Sequence, residues 1–145
     1  MKFFLAVVVA VLGVASAGFK CETIGLKSMY KKYISVQPSN NKVVGASEYK
    51  SWEQIKVTTQ KDGKVSLKSH AGKFLAAIPN KRSAWNRVKA RQFAWFTVER
   101  VGKNVAFKSA KGKYLSAKRD GSLVFSDTKG DSEQFQVYPD GCYKF

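Results

Sequence analysis

A dense run of basic side chains lies in the middle of the chain, between Lys81 and Arg91. Arginine offers a planar fork of N–H donors that matches the oxygens of a sulfate or phosphate, and lysine adds a compact positive charge. These residue types bind anionic groups, and they do not by themselves break bonds. The first basic cluster consists of Lys81, Arg82, Trp85, Arg87, Lys89 and Arg91.

The tryptophan inside this cluster has two interpretations. The ring of Trp85 either stacks on a sugar or a base, with Arg87 supplying a cation–π contact, or packs into the core beneath a solvated loop. Both fit the sequence.

A second basic cluster flanks two predicted turns and consists of Lys108, Lys111, Lys113, Lys118 and Arg119. From Lys81 to Arg119 there are twelve basic residues against one acid, Glu99, whereas five of the ten acids lie in the last 26 residues. This asymmetry predicts one strongly positive face. The alternative is a solvated basic surface that only keeps the protein soluble.

Residues that could support catalysis or hold a metal are sparse. The one histidine, His70, lies on a predicted turn. Metal sites need clustered ligands, and the acidic segment Asp127–Asp131 lacks the spacing of an EF-hand loop. Nucleophile elbows, phosphate loops and dinucleotide fingerprints are also missing from the sequence. We therefore expect a protein that is not an enzyme and needs no cofactor or metal.

The first 17 residues have the three parts of a secretory signal peptide, namely Lys2, the apolar run 3–14 and the small residues Ala15-Ser16-Ala17. The apolar run is shorter than the roughly 20 residues that span a bilayer, which disfavours the alternative of an uncleaved anchor. Removing residues 1–17 leaves a single domain, 18–145, with 128 of the 145 residues, and lowers the formal net charge from +16 to +15. We expect a secreted, extracellular protein that attracts polyanions.

The two cysteines, Cys21 and Cys142, lie close to the two ends of this secreted chain. An exported protein meets an oxidising compartment, so we expect these residues to form a disulfide bond. Two free thiols or a cross-link between chains are the alternatives. The bond would enclose almost the whole chain and stabilise it by roughly 4–5 kcal/mol in the loop-entropy model.

The basic clusters must be positioned by a repeat of about forty residues. Segment 67–77 reads LKSHAGKFLAA, segment 107–117 reads FKSAKGKYLSA, and a worn copy at 26–36 has Lys31 where the others have glycine. A second set of anchors, Ile55, Phe96 and Phe135, is spaced by 41 and 39 residues. Two independent anchors with one period indicate a repeat architecture.

Each repeat predicts four short strands, because apolar and polar residues alternate between turn signals such as Asp62-Gly63. Convincing helical spacing is missing. Three such units predict an all-β fold, a β-trefoil, with repeats at approximately 22–62, 63–103 and 104–142. Closure of this barrel would bring Cys21 near Cys142, which supports the expected disulfide independently.

The repeats resemble those of fascin-type β-trefoils. The resemblance rests on the phrase GKYLSA at 112–117, the hairpin at Asp120-Gly121 and the phrase EQFQV at 133–137. The group includes the actin-crosslinking fascin domains and hisactophilin, so the resemblance implies a β-trefoil fold and, for a protein inside cells, actin bundling. Export argues against actin here. The Gln-x-Trp motif of ricin-type lectin trefoils is absent from the sequence.

Charge and predicted export together favour a binding protein, expected to be a monomer, for sulfated or acidic polysaccharide of the heparin kind. Free nucleic acid is a polyanion that follows the same electrostatics. The alternative is a secreted effector, either a venom or defence protein acting on anionic membranes or a cytokine-like ligand of a cell-surface receptor. The lack of an amphipathic helix counts against the membrane version.

Overall fold

The computed structural model describes residues 18–77, 83–87 and 89–144, so the predicted signal peptide, Lys81 and Arg82 lie outside the described residues. Short strands and short 3-10 turns make up the described chain, and no helix within it is long and apolar enough to cross a membrane. The strands are β1 (Gly18–Phe19), β2 (Thr23–Lys27), β3 (Tyr33–Val36), β4 (Val43–Ala46), β5 (Ile55–Thr59), β6 (Val65–Lys68), β7 (Phe74–Ala77), β8 (Ser83–Arg87), β9 (Thr97–Val101), β10 (Asn104–Lys108), β11 (Tyr114–Ala117), β12 (Leu123–Ser126), β13 (Gln136–Tyr138) and β14 (Tyr143–Lys144). The 3-10 turns are Ser51–Glu53, Lys61–Gly63, Gln92–Ala94 and Asp131–Glu133.

Six of the strands close into a barrel in the order β2, β5, β6, β9, β10, β13 and back to β2. All of these neighbours are antiparallel. The other main strands form three hairpins, β3–β4, β7–β8 and β11–β12, one for each repeat. This arrangement of a six-stranded barrel with three hairpins is a β-trefoil, which confirms the fold predicted from the repeats.

The core repeats with the same threefold pattern. In each repeat the first strand meets the start of the fourth through a pair of apolar residues, all of them at most 5% exposed. Burying such side chains against each other is the main favourable contribution to folding. The pairs are Ile24 with Ile55, Val65 with Phe96, and Val105 with Phe135.

The turn between the first two strands has the same backbone conformation in all three repeats, although the first repeat has no glycine there. Gly72 and Gly112 have φ angles of 85° and 81°, in the left-handed region that glycine enters without strain. Lys31 has a φ of 63° at the equivalent position and makes the equivalent backbone hydrogen bond, from its N–H to the carbonyl of Ser28. The turn is therefore retained although the glycine is not.

The two ends of the described chain are tied together, as the cysteines predict. Cys21 and Cys142 form a disulfide bond, with their Cα atoms 5.1 Å apart. Next to the bond, β1 pairs with β14, and the N–H of Lys20 donates to the carbonyl of Cys142. The sequence did not predict these two terminal strands, because two residues are too few to show a periodicity.

We predict that Gly121→Ala destabilises the protein more than Gly63→Ala. Both glycines have positive φ, 92° and 76°, so each alanine carries backbone strain of about 1–2 kcal/mol. A Cβ at Gly63 enters open space, whereas one at Gly121 overlaps the backbone of Gly45 in the neighbouring hairpin. Urea unfolding should show an additional loss of about 1–3 kcal/mol for Gly121→Ala. Equal losses for the two variants would contradict the close contact between the hairpins.

Candidate functional site

A pocket bordered by positive charge lies on the loop that leads into the fourth strand of the middle repeat. Its volume is about 420 Å³, and it is lined by Lys89, Ala90, Arg91, Gln92 and Trp95, which we call the basic pocket. Lys89 and Arg91 are exposed, and so is Arg87 at the end of β8. The 3-10 turn Gln92–Ala94 fixes the direction of the loop, because the N–H of Trp95 donates to the carbonyl of Gln92. The structure thus brings together two predicted cations, Lys89 and Arg91.

The aromatic residue of this pocket is Trp95, which precedes the repeat anchor Phe96 and was not among the predicted site residues. Its ring is half-buried, and its indole Nε1 donates to the carbonyl of Ala90 at 3.0 Å. That hydrogen bond holds the ring in place before a ligand arrives. The other repeats have glutamine at this position, Gln54 and Gln134. A tryptophan is therefore not needed there for the fold. This difference between the repeats is the sequence feature that could have identified Trp95 as a candidate site residue.

The middle repeat also lacks a buried carboxyl group that the other two repeats have. Glu53 accepts hydrogen bonds from the Ser35 hydroxyl and the N–H of Lys50, and Glu133 accepts the same bonds from Ser116 and Gly130. The equivalent residues of the middle repeat are Ala94 and Ala76, both buried. Because the hydroxyl and the carboxyl group are replaced together, neither side chain is left without the other as its partner. It also removes an acidic group from behind the basic pocket.

The structure corrects the prediction that Trp85 binds a ligand. Trp85 is 1% exposed and belongs to the hydrophobic core, so its ring is not accessible to a sugar or a base. Its large apolar ring gains more from burial than it would from a solvated position. Of the two interpretations of Trp85, the structural one is correct. Lys81 and Arg82, from the same cluster, lie outside the described residues.

The second basic cluster is divided by its contacts. Lys113 forms an ion pair with Asp127, and the guanidinium carbon of Arg119 lies 5.6 Å from the ring centroid of Tyr30. The ammonium group of Lys108 lies 5.9 Å from the ring centroid of Tyr114. Lys111 and Lys118 are exposed. The cluster is therefore distributed over one ion pair, two cation–π contacts and two exposed lysines.

Glu99, the one acid between the basic clusters, is engaged by its neighbours. Its carboxylate accepts hydrogen bonds from Lys129 at 2.7 Å and from the Tyr114 hydroxyl at 3.0 Å. The hydrogen bond from Lys129 holds the pKa of Glu99 below its ordinary value, and the same bond raises the pKa of Lys129. Burial, together with the bond to Glu99, raises the pKa of Tyr114. The negative charge of Glu99, in the second repeat, is therefore balanced by Lys129 of the third repeat.

Groups suited to catalysis or metal binding are not gathered in the described chain. Within residues 18–77, 83–87 and 89–144 there is no group of three or more histidine, cysteine or acidic residues that could hold a metal ion. His70 is exposed on the turn after β6. The basic pocket combines two of the predicted cations with an aromatic ring, and this lining is suited to binding an anion rather than to catalysis.

The match to known families is consistent with the fold and the threefold core. Residues 29–137, which include parts of all three repeats, match the fascin domain. The chain belongs to the fascin domain family. The resemblance predicted from the sequence is thereby confirmed.

Solved structures place this fascin domain among the β-trefoils. ThreeFoil, a designed 3-fold symmetric protein, matches with a TM-score of 0.70 at 16% identity, covering 81% of this chain and 98% of that protein. SeviL, solved bound to asialo-GM1 saccharide, matches with a TM-score of 0.72 at 11% identity, covering 86% and 98%. Comparison with curated proteins gave no match. At such identities the likeness establishes the fold.

We predict that Glu99→Gln makes the stability of this fascin domain less dependent on pH. A lowered pKa means that ionised Glu99 stabilises the folded state above its ordinary value of 4.5, and that this contribution is lost as the pH falls through the lowered pKa. The difference in unfolding free energy between wild type and Glu99→Gln should be largest near neutral pH and shrink in acid.

Glu22→Gln provides the control, because Glu22 and Lys56 form an ion pair of 3.9 Å between highly exposed side chains. Exposed pairs contribute little, so this variant should follow the wild-type pH profile in urea unfolding. A Glu99→Gln profile parallel to the wild type would contradict the assigned role of Lys129.

Proposed function

We propose that this fascin domain is a secreted, non-enzymatic carbohydrate-binding protein that recognises sulfated or acidic polysaccharide through the basic pocket. The observation that carries the proposal is the composition of that pocket, in which Lys89 and Arg91 border a fixed Trp95. An arginine fork and a lysine ammonium suit sulfate or carboxylate groups. A tryptophan ring suits the apolar face of a sugar, and Gln92 supplies both a donor and an acceptor for hydroxyl groups.

Comparison of the repeats supports this assignment. The loop residues equivalent to Lys89 and Arg91 are Glu48 and Lys50 in the first repeat, and Thr128 and Gly130 in the third. The middle loop alone has two cations and no acid. Since all three loops lead into equivalent barrel strands, the charge of the middle loop is not required for folding. It is better explained by a ligand.

Other properties of the chain are consistent with an extracellular polyanion as the ligand. The formal net charge, +16 for the whole chain and +15 without residues 1–17, draws anionic polymers towards the protein at long range. The disulfide between Cys21 and Cys142 suits an oxidising compartment, which supports export. SeviL, a protein of the same fold, was solved bound to a saccharide. Lys111, Lys118 and Arg119 would contribute attraction at longer range.

The proposal predicts that Lys89→Ala/Arg91→Ala lowers heparin affinity more than the loss of two charges explains. Lys42→Ala/Lys61→Ala is the matched control, because both lysines are exposed and lie outside the basic pocket. On immobilised heparin the pocket variant should elute at clearly lower salt than the control variant. On a sulfonate exchanger the two variants should elute together, since each has lost the same charge.

Two further measurements sharpen this test. Arg91→Lys keeps the charge and removes the planar fork, so it should weaken heparin binding without changing elution from the sulfonate exchanger. Heparin fragments and an oligonucleotide of equal charge should then be compared as eluents from the heparin column. Equal elution of both double variants would mean that only bulk charge acts. Stronger displacement by the oligonucleotide would favour nucleic acid over polysaccharide.

A further inference from the structure

A second cavity lies at the equivalent position of the first repeat, and its chemistry differs from that of the basic pocket. It has a volume of about 500 Å³ and is formed by the hairpin β3–β4 and the loop that follows β4. Its open side is lined by Ser47, Glu48, Lys50, Ser51 and Trp52, which we call the tryptophan pocket. The basic pocket is built from the same stretch of the middle repeat, 41 residues further along the chain.

The exposed ring of Trp52 is the main feature of this pocket. Trp52 is 47% exposed, whereas Trp85 is 1% exposed in the core. Trp52 occupies the central position of a 3-10 turn, so its backbone is held while its ring remains accessible. A large ring left in water at the mouth of a cavity is typical of a binding surface.

The support beneath the ring is rigid. The buried carboxyl group of Glu53 accepts hydrogen bonds from the Ser35 hydroxyl and from the N–H of Lys50. These bonds tie the loop to strand β3 on one side and close the 3-10 turn on the other. The tryptophan pocket is therefore formed before a ligand binds, which reduces the entropic cost of binding.

The charge of the pocket selects its ligand. Glu48 and Lys50 form an ion pair of 3.3 Å at the rim, so the rim has no net charge. The lining also contains Glu53, so it has two acidic groups against one lysine, and this disfavours a sulfate or carboxylate ligand. Ser47 and Ser51 supply hydroxyls that both donate and accept. Such groups match the hydroxyls of an uncharged sugar, whose apolar face suits the ring of Trp52.

We propose that the tryptophan pocket binds an uncharged pyranose oligosaccharide, separately from the anionic ligand of the basic pocket. The protein would then hold two kinds of glycan at related positions of two repeats. The proposal does not depend on the basic pocket being functional, because each pocket has its own residues and its own tryptophan.

The three tryptophans allow the two pockets to be observed in one experiment. The indole N–H signals of Trp52, Trp85 and Trp95 can be assigned in a ¹H–¹⁵N spectrum from three tryptophan-to-phenylalanine variants. The probes are uncharged tetrasaccharides of glucose, galactose, mannose and N-acetylglucosamine, each at up to about 10 mM, a range that detects weak specific binding. A heparin tetrasaccharide provides the anionic comparison.

At least one uncharged tetrasaccharide should shift the Trp52 signal and leave Trp95 unchanged. Its Kd should stay constant between about 0.1 M and about 1 M salt, where the Debye length falls from roughly 10 Å to 3 Å. Trp52→Ala should raise that Kd at least about tenfold. Phe93→Ala is the matched control, because Phe93 has the equivalent position in the middle repeat and is 45% exposed. It should leave the Kd unchanged.

The outcomes separate the two proposals. A Trp52 signal that responds to none of the four uncharged sugars, or that moves only with heparin, overturns the assignment of the tryptophan pocket. A heparin fragment that leaves Trp95 unmoved counts against the basic pocket alone. Trp52→Ala and Phe93→Ala remove aromatic rings of similar exposure, 47% and 45%, so urea unfolding should show similar losses of stability for the two variants. A loss of sugar binding in Trp52→Ala therefore reports on the site.

Discussion

The barrel depends on one interaction that occurs three times, the contact between the first and fourth strands of each repeat. A single four-stranded unit cannot bury its apolar face, so each pair, such as Ile24 with Ile55, is stable only in the presence of the other two. Closure comes when β13 pairs with β2, and the bond between Cys21 and Cys142 secures the same junction. The core positions are consequently fixed in all three repeats. Sequence change is accommodated in the loops that connect them.

The residues packed around equivalent aromatic rings differ between the three repeats. In each repeat a lysine at the end of the first strand lies over an aromatic ring at the start of the second strand, with ammonium-to-centroid distances of 5.4, 5.4 and 5.9 Å. The pairs are Lys27 with Tyr33, Lys68 with Phe74, and Lys108 with Tyr114. The first of these rings, Tyr33, packs with Tyr49 and Tyr138. Beside the third, the space is used by the ion pair of Lys129 and Glu99. In the middle repeat the residue equivalent to Tyr49 and Lys129 is Ala90, which lines the basic pocket. The pocket thus coincides with the repeat whose loop has lost its bulky packing residue.

The repeat period was sufficient to predict the four strands and the hairpin turns of each repeat, because these follow from local alternation. The disulfide was predicted from the expected export, and closure of the barrel supported it. The two tryptophans of the middle repeat show why the site was harder to predict. Trp85 lies in the basic run and Trp95 in a strand-like pattern, so the sequence favoured the first as the ligand-binding ring. The structure instead buries Trp85 and leaves Trp95 half-buried. Strand β8 pairs with β7 through an irregular register between Phe74 and Ala76, so simple alternation cannot show which face Trp85 takes. The partners of Lys113 and Arg119 were likewise hidden, since Asp127 and Tyr30 meet them only in the folded chain.

Three equivalent loops within one chain act as controls for one another. Each loop contains a 3-10 turn and leads into the fourth strand of its repeat. Folding therefore places nearly the same structural requirement on all three loops. The 3-10 turn of the third loop consists of Asp131, Ser132 and Glu133, and none of these residues has an aromatic ring. The first two loops instead expose Trp52 and Phe93, at 47% and 45%, although exposing such rings to water does not stabilise the fold. They differ from each other in charge, with a neutral ion pair in one and two unopposed cations in the other. A stability requirement would act on all three loops alike, whereas the two proposed ligands would account for both the exposed rings and their different surroundings.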